Sequence, residues 1–269
     1  MTKGKELANV ASEETLQALQ ESYPVEQGGQ RIMLPRLGLV SQDKVEGKGK
    51  AMKVVTEAGT FFIEKQTDEE DENGKKIWSR EEIGTEIEGI ILFQRKQLRL
   101  FDEKTEEYTS SPIYDKDDEI VPIFCNKQEV GRGTPKELQA QFEYTDKNSG
   151  KVRSKLEVNR ILYVQYEGEI YQMNLRGSSM YSFLGYCRKV LPPSVITAFS
   201  SEPKEKGSIA WNQMTFTVKQ KLSDKEAQDV LAKVSEIKRA VQFEKDQYSA
   251  VTVEVIEQRK KVEDDYQSM

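Results

Sequence analysis

The chain has 269 residues, of which 36% are hydrophobic and 32% charged, with a formal net charge of -6 and no histidine. That length is enough for one elaborated domain or two small ones, while the missing histidine removes Ser-His and Cys-His nucleophile pairs, histidine metal ligation and the commonest general acid/base. No apolar run reaches the roughly 20 residues that span a bilayer, so no membrane role is expected. Cys125 and Cys187 lie far apart and form no CxxC pair, which suits a reducing compartment and small apolar packing roles.

Residues 1–30 are expected to form an N-terminal arm. It begins with two lysines but no apolar stretch of the secretory type, and Leu16, Leu19 and Tyr23 at helical spacing after Ser12 predict a short amphipathic helix. The run RIMLPRLGLV then reads as extended, because Pro35 and Gly38 oppose a helix, and SQDKVEGKGK reads as a polar loop. From Lys53 to Trp78 a hairpin is expected, with Asn73-Gly74 as its turn. Glu69, Asp71 and Asn73 would fall at ligand positions of a calcium loop, but the twelfth position holds Arg80 where a bidentate glutamate is needed. A solvated acidic hairpin tip is the better reading, and no cofactor or metal is expected.

A strand from Ile87 to Phe93 runs on into Arg95, Lys96 and Arg99, interleaved with Phe93, Leu98 and Phe101. Such alternation builds a nucleic-acid groove or a charged edge strand equally well. Beyond a short strand ending at Cys125, NKQEVGRGTPKE reads as a loop and LQAQFEYTD as a strand. A two-residue turn at Glu167-Gly168 then pairs Tyr166 with Glu169, Val164 with Tyr171, Leu162 with Met173 and Arg160 with Leu175. Alternation puts Leu162, Val164, Tyr166, Tyr171, Met173 and Leu175 on a core face, and Ile161, Tyr163, Gln165, Ile170, Gln172, Asn174 and Arg176 on the opposite one.

Ser178 or Ser179 is expected to cap a helix running to Val190, with Tyr181 and Arg188 off its apolar stripe. SSEPKEKGS reads as a polar loop and IAWNQMTFTVKQ as a strand. Ser223 and Glu226 form a capping box for a C-terminal amphipathic helix, expected over 223–248. Residues 249–269 read as an acidic flexible tail. Charge is segregated: residues 151–200 carry seven Lys or Arg against three Asp or Glu, while 101–150 carry six against twelve.

These elements predict an α+β protein, mainly antiparallel β, in which an OB-like barrel with extended hairpins and an inserted helix occupies 31–222 and the C-terminal helix of 223–248 packs on it. The succession PRLGLV, GTFFI, a strand into RKQLR, LYVQYEGEIYQMNLRGSSMYSFLGY and WNQMTFTV resembles the phage-type single-stranded DNA-binding proteins over about residues 31–222. The resemblance lies in element order, above all a strand and GxS turn leading to a helix before the final strand. It implies an OB fold and sequence-tolerant single-strand binding in phage DNA replication or recombination; the amino terminus, without a secretory pattern, gives the expected location as the cytoplasm, that of the host if the chain is phage-encoded. The chain departs from the wider group of single-strand binders in two ways. Its tail ends DDYQSM without their acidic-aromatic tip, and it carries a large acidic region from DEEDE through DKDDE.

Single-strand binding needs π-faces for bases and cations for phosphates. Tyr163, Arg176, Tyr181 and Arg188 are the candidate surface, with Arg95, Lys96 and Arg99 as a second wall. The expected partners are single-stranded DNA and, through the acidic tail, replication or recombination proteins. A phage structural or host-interaction protein without nucleic-acid binding is the alternative, ahead of a carboxylate and magnesium nuclease whose acids would have to converge from strand ends.

Overall fold

The computed structural model describes residues 34–46, 53–72, 76–102, 107–125, 128–147 and 150–238. The expected helix at 11–23, the Asn73-Gly74 turn and the tail at 249–269 lie outside them. In chain order the strands are β1 (Arg36–Leu39), β2 (Lys44–Glu46), β3 (Lys53–Thr56), β4 (Phe61–Glu70), β5 (Lys76–Gly84), β6 (Ile87–Asp102), β7 (Glu107–Ser110), β8 (Val121–Cys125) and β9 (Gln128–Gly133). Helix α1 (Pro135–Gln141) is followed by β10 (Glu143–Thr145), β11 (Val152–Ser154), β12 (Leu156–Tyr166) and β13 (Glu169–Leu175). Helix α2 (Gly177–Cys187), β14 (Val195–Lys206), β15 (Ile209–Lys221) and a third helix, α3, from 224 through 238 complete the described chain.

The fold is α+β with mostly antiparallel strands. Two compact units divide the interval expected as one domain: residues 34–96 with 158–234, and residues 97–157 with 235–238.

In the first unit the sheet order is β15-β14-β6-β12-β13-β1-β4-β5, with β1 parallel to β13 and antiparallel to β4. The sheet curls into a half-barrel. Its curl brings the β14–β15 hairpin back to the loops flanking β1 and β4: the Asn212 N–H donates to Ser41 O at 2.7 Å, and Gln42 Nε2 donates to Ala210 O at 3.0 Å.

The inner face holds the core. Leu37, Phe61, Ile63, Ile91, Leu162, Val164, Met173 and Phe199 are buried together, and Phe183 and Tyr186 of α2 fill the concavity above them. The Tyr186 hydroxyl is within 2.8 Å of Thr197 Oγ1, and its burial pushes the phenol pKa up. The β12–β13 register is the one read from the sequence, from Tyr166 opposite Glu169 to Arg160 opposite Leu175. Glu167 and Gly168 both take positive φ, which tightens the hairpin with the sheet's own twist.

Helix α2 corrects one expectation. It starts at Gly177, with Arg176 at the N-cap and no side-chain cap. The two serines expected to cap it reach across to β15 instead. Ser178 Oγ accepts from Trp211 Nε1 and Ser179 Oγ from the Met214 backbone N–H, each at 2.9 Å. The segment expected as a polar loop after it belongs to the β14–β15 hairpin, whose pairing runs from Val195↔Lys221 to Lys206↔Ile209. The Ser223–Glu226 capping box opens α3 as expected, and Ala227, Val230, Val234 and Ile237 form its buried stripe.

The second unit is built from short ribbons: β7 pairs with the end of β6, β8 with β9, and β10 with β11. Helix α1 lies where the sequence predicted a strand. Thr134 and Glu137 form a capping box with Pro135 at the first helical position, and Leu138 is buried. Ser154 Oγ donates to Gln139 O at 2.8 Å, tying β11 to that helix.

Candidate nucleic-acid interface

Strand register in the first unit carries side chains across the outer face of the sheet in rows. Gln172 of β13 lies opposite Arg36 of β1, Arg36 opposite Glu64 of β4, and Glu64 opposite Arg80 of β5. The neighbouring row is Gly38, Phe62 and Glu82, and the next pairs Gln66 with Trp78. Because alternate residues point to opposite faces, this face is the reverse of the one formed by Leu37, Phe61 and Ile63.

The outer face interleaves cations with aromatic rings. The Arg80 guanidinium lies 3.5 Å over the Phe62 ring centroid and Lys44 Nζ lies 5.9 Å from it. The Arg36 guanidinium lies 4.5 Å over Trp78. Glu64 stands between the arginines, 3.9 Å from Arg36 and 3.6 Å from Arg80. Glu82 accepts a 2.6 Å hydrogen bond from the Thr56 hydroxyl. Asn174 and Arg176, exposed at the end of β13, extend the same face.

Of the seven residues singled out from sequence, Arg95 and Tyr163 are each 1% exposed, so neither presents the surface expected of it. Tyr163 stacks on Phe93 with ring centroids 4.1 Å apart. The alternation that placed Tyr163 off the core face was right, but the opposite face is covered at β12 as well, with Ile161 also buried. Lys96 and Arg99 are half-buried. In the second unit the Arg99 guanidinium lies 3.9 Å over Tyr108, whose ring meets Phe101 at 5.0 Å.

Arg176, Tyr181 and Arg188 are exposed, and Tyr181 at 69% is the most open aromatic among the described residues. The three do not form one patch. Arg176 continues the outer face, whereas Tyr181 and Arg188 ride on the helix that packs the inner face. Arg176 and Arg188, the two caps of α2, are twelve steps apart and so about 18 Å apart along the helix. Tyr181 and Arg188 lie two turns apart on one side of that helix, with Gly185 open between them.

The sequence pattern alone did not single out Arg36, Lys44, Phe62, Trp78 and Arg80 as one surface. The signal was present as two-residue alternation: Phe62, Glu64 and Gln66 against Phe61 and Ile63 on β4, and Trp78 and Arg80 on β5. What was lacking was the pairing of β1 with β4, which brings Arg36 beside them.

On the rim of the inner face Glu169 accepts from Lys65 Nζ at 2.7 Å and from the Tyr171 hydroxyl at 2.8 Å. The lysine's hydrogen bond holds the Glu169 carboxyl below the usual carboxylate range, and the same bond raises Lys65. That lysine is committed to its carboxylate. Among the described residues no group of three or more His, Cys, Asp or Glu side chains could hold a metal ion. The chain matches no protein-family model, no curated protein and no solved structure.

Proposed function

We propose that this chain binds single-stranded DNA without regard to sequence, non-catalytically, on an OB-like curled sheet, in phage-type replication or recombination. The observation that carries this reading is the outer face of β13, β1, β4 and β5, where Arg36, Lys44 and Arg80 lie against Phe62 and Trp78. Cations there meet phosphates, while ring and guanidinium planes stack on bases, each stacked base contributing about 1–3 kcal/mol.

The test is fluorescence anisotropy of a labelled oligothymidylate. Binding that weakens steeply between about 50 and 200 mM salt is expected. The Arg36→Gln/Arg80→Gln double variant should flatten the slope of log affinity against log salt by about 0.7, the value of one lost phosphate contact on a single strand. No binding at low salt overturns the reading.

A second reading, a phage structural or host-docking protein without nucleic-acid binding, is favoured by the exposed apolar side chains of the second unit, among them Phe101, Ile120 and Val152. It prevails if the oligonucleotide does not bind at low salt and a folded protein is verified by its thermal transition.

A further inference from the structure

Arg80 is held in place more firmly than it is paired. Its guanidinium lies against Phe62, and its side chain is 20% exposed. Yet Nε and Nη2, both out of contact with solvent, meet no hydrogen-bond acceptor among the described residues. Those two atoms form the fork that grips a carboxylate side-on, as Arg132 does in this chain, donating to Glu129 through Nε at 2.8 Å and Nη2 at 2.6 Å. On Arg80 both fork donors are covered as well as unpaired, and the anion beside it stands at Nη1. The nearest anion, Glu64, approaches only Nη1, at 3.6 Å, beyond hydrogen-bond length, and lies 3.9 Å from Arg36.

A guanidinium with an empty fork is an unfavourable resting state, because the desolvated donors lack their acceptor. One carboxylate facing two arginines at long range leaves both under-neutralised. The two non-bridging oxygens of a backbone phosphate, not tethered to the sheet as Glu64 is, can close to hydrogen-bond length on both at once.

We propose that the Arg36–Glu64–Arg80 row is a phosphate seat in which Glu64 is the resident anion, displaced when a backbone phosphate enters. This rests on the single-strand reading and deepens it. Arg36 and Arg80 hold the incoming phosphate, the rings of Trp78 and Phe62 fix the two guanidinium planes, and Glu64 competes for the same place. The carboxylate keeps the pair from holding adventitious anions and sets the affinity below what the arginines alone would give.

Glu64→Gln tests this, since it keeps the side chain's size and removes its charge. The variant should bind labelled oligothymidylate roughly fivefold more tightly than the native chain, the scale of one exposed ion pair. The gain should vanish when Arg80→Gln is added. Unchanged or weaker binding by a folded Glu64→Gln protein overturns the proposal and makes Glu64 a strut for the arginines. If neither protein binds oligonucleotide, the single-strand reading falls, and the seat is read with inorganic pyrophosphate as probe. A larger rise in melting temperature for Glu64→Gln than for the native chain, abolished by Arg80→Gln, supports it, and equal rises overturn it.

Discussion

Phe62 lies across Gly38 so closely that a Cβ added to the glycine would come 2.4 Å from the ring's Cζ. The two residues are register partners in β1 and β4, so the ring needs the space a side chain would fill. Gly38→Ala should therefore push Phe62 out of its place, costing about 1–3 kcal/mol in the manner of an overpacked site. Because Arg80 rests on that ring, the same change should weaken oligothymidylate binding. Adding Phe62→Leu, with a smaller side chain, should recover most of the stability in urea denaturation but not the binding. Recovery of both would mean that the ring contributes only packing.

Tyr163 and Tyr181, read from sequence as members of one surface, should separate cleanly in their effects. Tyr163 is buried against Phe93 and Tyr181 is open. Tyr163→Ala should cost about 3–5 kcal/mol, as loss of a buried aromatic does. Tyr181→Ala should stay within about 0.5 kcal/mol of the native chain. Chemical denaturation with matched m-values checks both, and a mild effect at Tyr163 would contradict its burial.

That contrast also marks how far the sequence could be read. The β12–β13 register followed from Glu167-Gly168 and strict alternation, because a two-residue turn leaves no freedom in pairing. Burial of Tyr163 did not follow, since alternation tells which residues share a face but not whether that face is covered. Arg95 failed for the same reason: a cation on a strand signals solvent only when nothing packs over it. Helix α1 has only seven residues, and its capping box Thr134–Glu137 was overlooked within what read as a loop and a strand. The outer half of β14 is highly charged and contains Pro203, which disguised a strand whose partner β15 was evident. The cation and ring face escaped because β1 and β13, distant in sequence, join the β4–β5 hairpin to compose it, and no local pattern joins Arg36 to Arg80.

Ser178 and Ser179 fasten α2 to β15, and their substitution should loosen the helix unequally. The Met214 N–H that Ser179 receives belongs to a buried residue, so Ser179→Ala strands a backbone donor and should cost about 1–3 kcal/mol. Trp211 is half-buried, and its indole N–H can turn to water, so Ser178→Ala should cost about 0.5–1.5 kcal/mol. Urea denaturation of both single variants gives the comparison. Hydrogen exchange at the Met214 amide should accelerate more in Ser179→Ala than in Ser178→Ala, and the reverse order would show that the indole contact dominates.

The capping box of α3 gives the last prediction its sign. Glu226 accepts from the Ser223 hydroxyl and backbone N–H, each at 2.7 Å, and these bonds, the hydroxyl's first, hold its carboxyl below the ordinary range. A carboxyl whose folded pKa is depressed binds fewer protons folded than unfolded across that interval. Its contribution to stability is thus complete above the unfolded value of about 4.3 and lost as pH falls through the lower folded value. Ser223→Ala should cost about 1 kcal/mol at neutral pH and less in acid, where the protonated Glu226 already holds the cap weakly. In the same variant, carboxyl carbon NMR should show the Glu226 midpoint moving up toward the ordinary value. An unmoved midpoint would mean that some group other than Ser223 sets it.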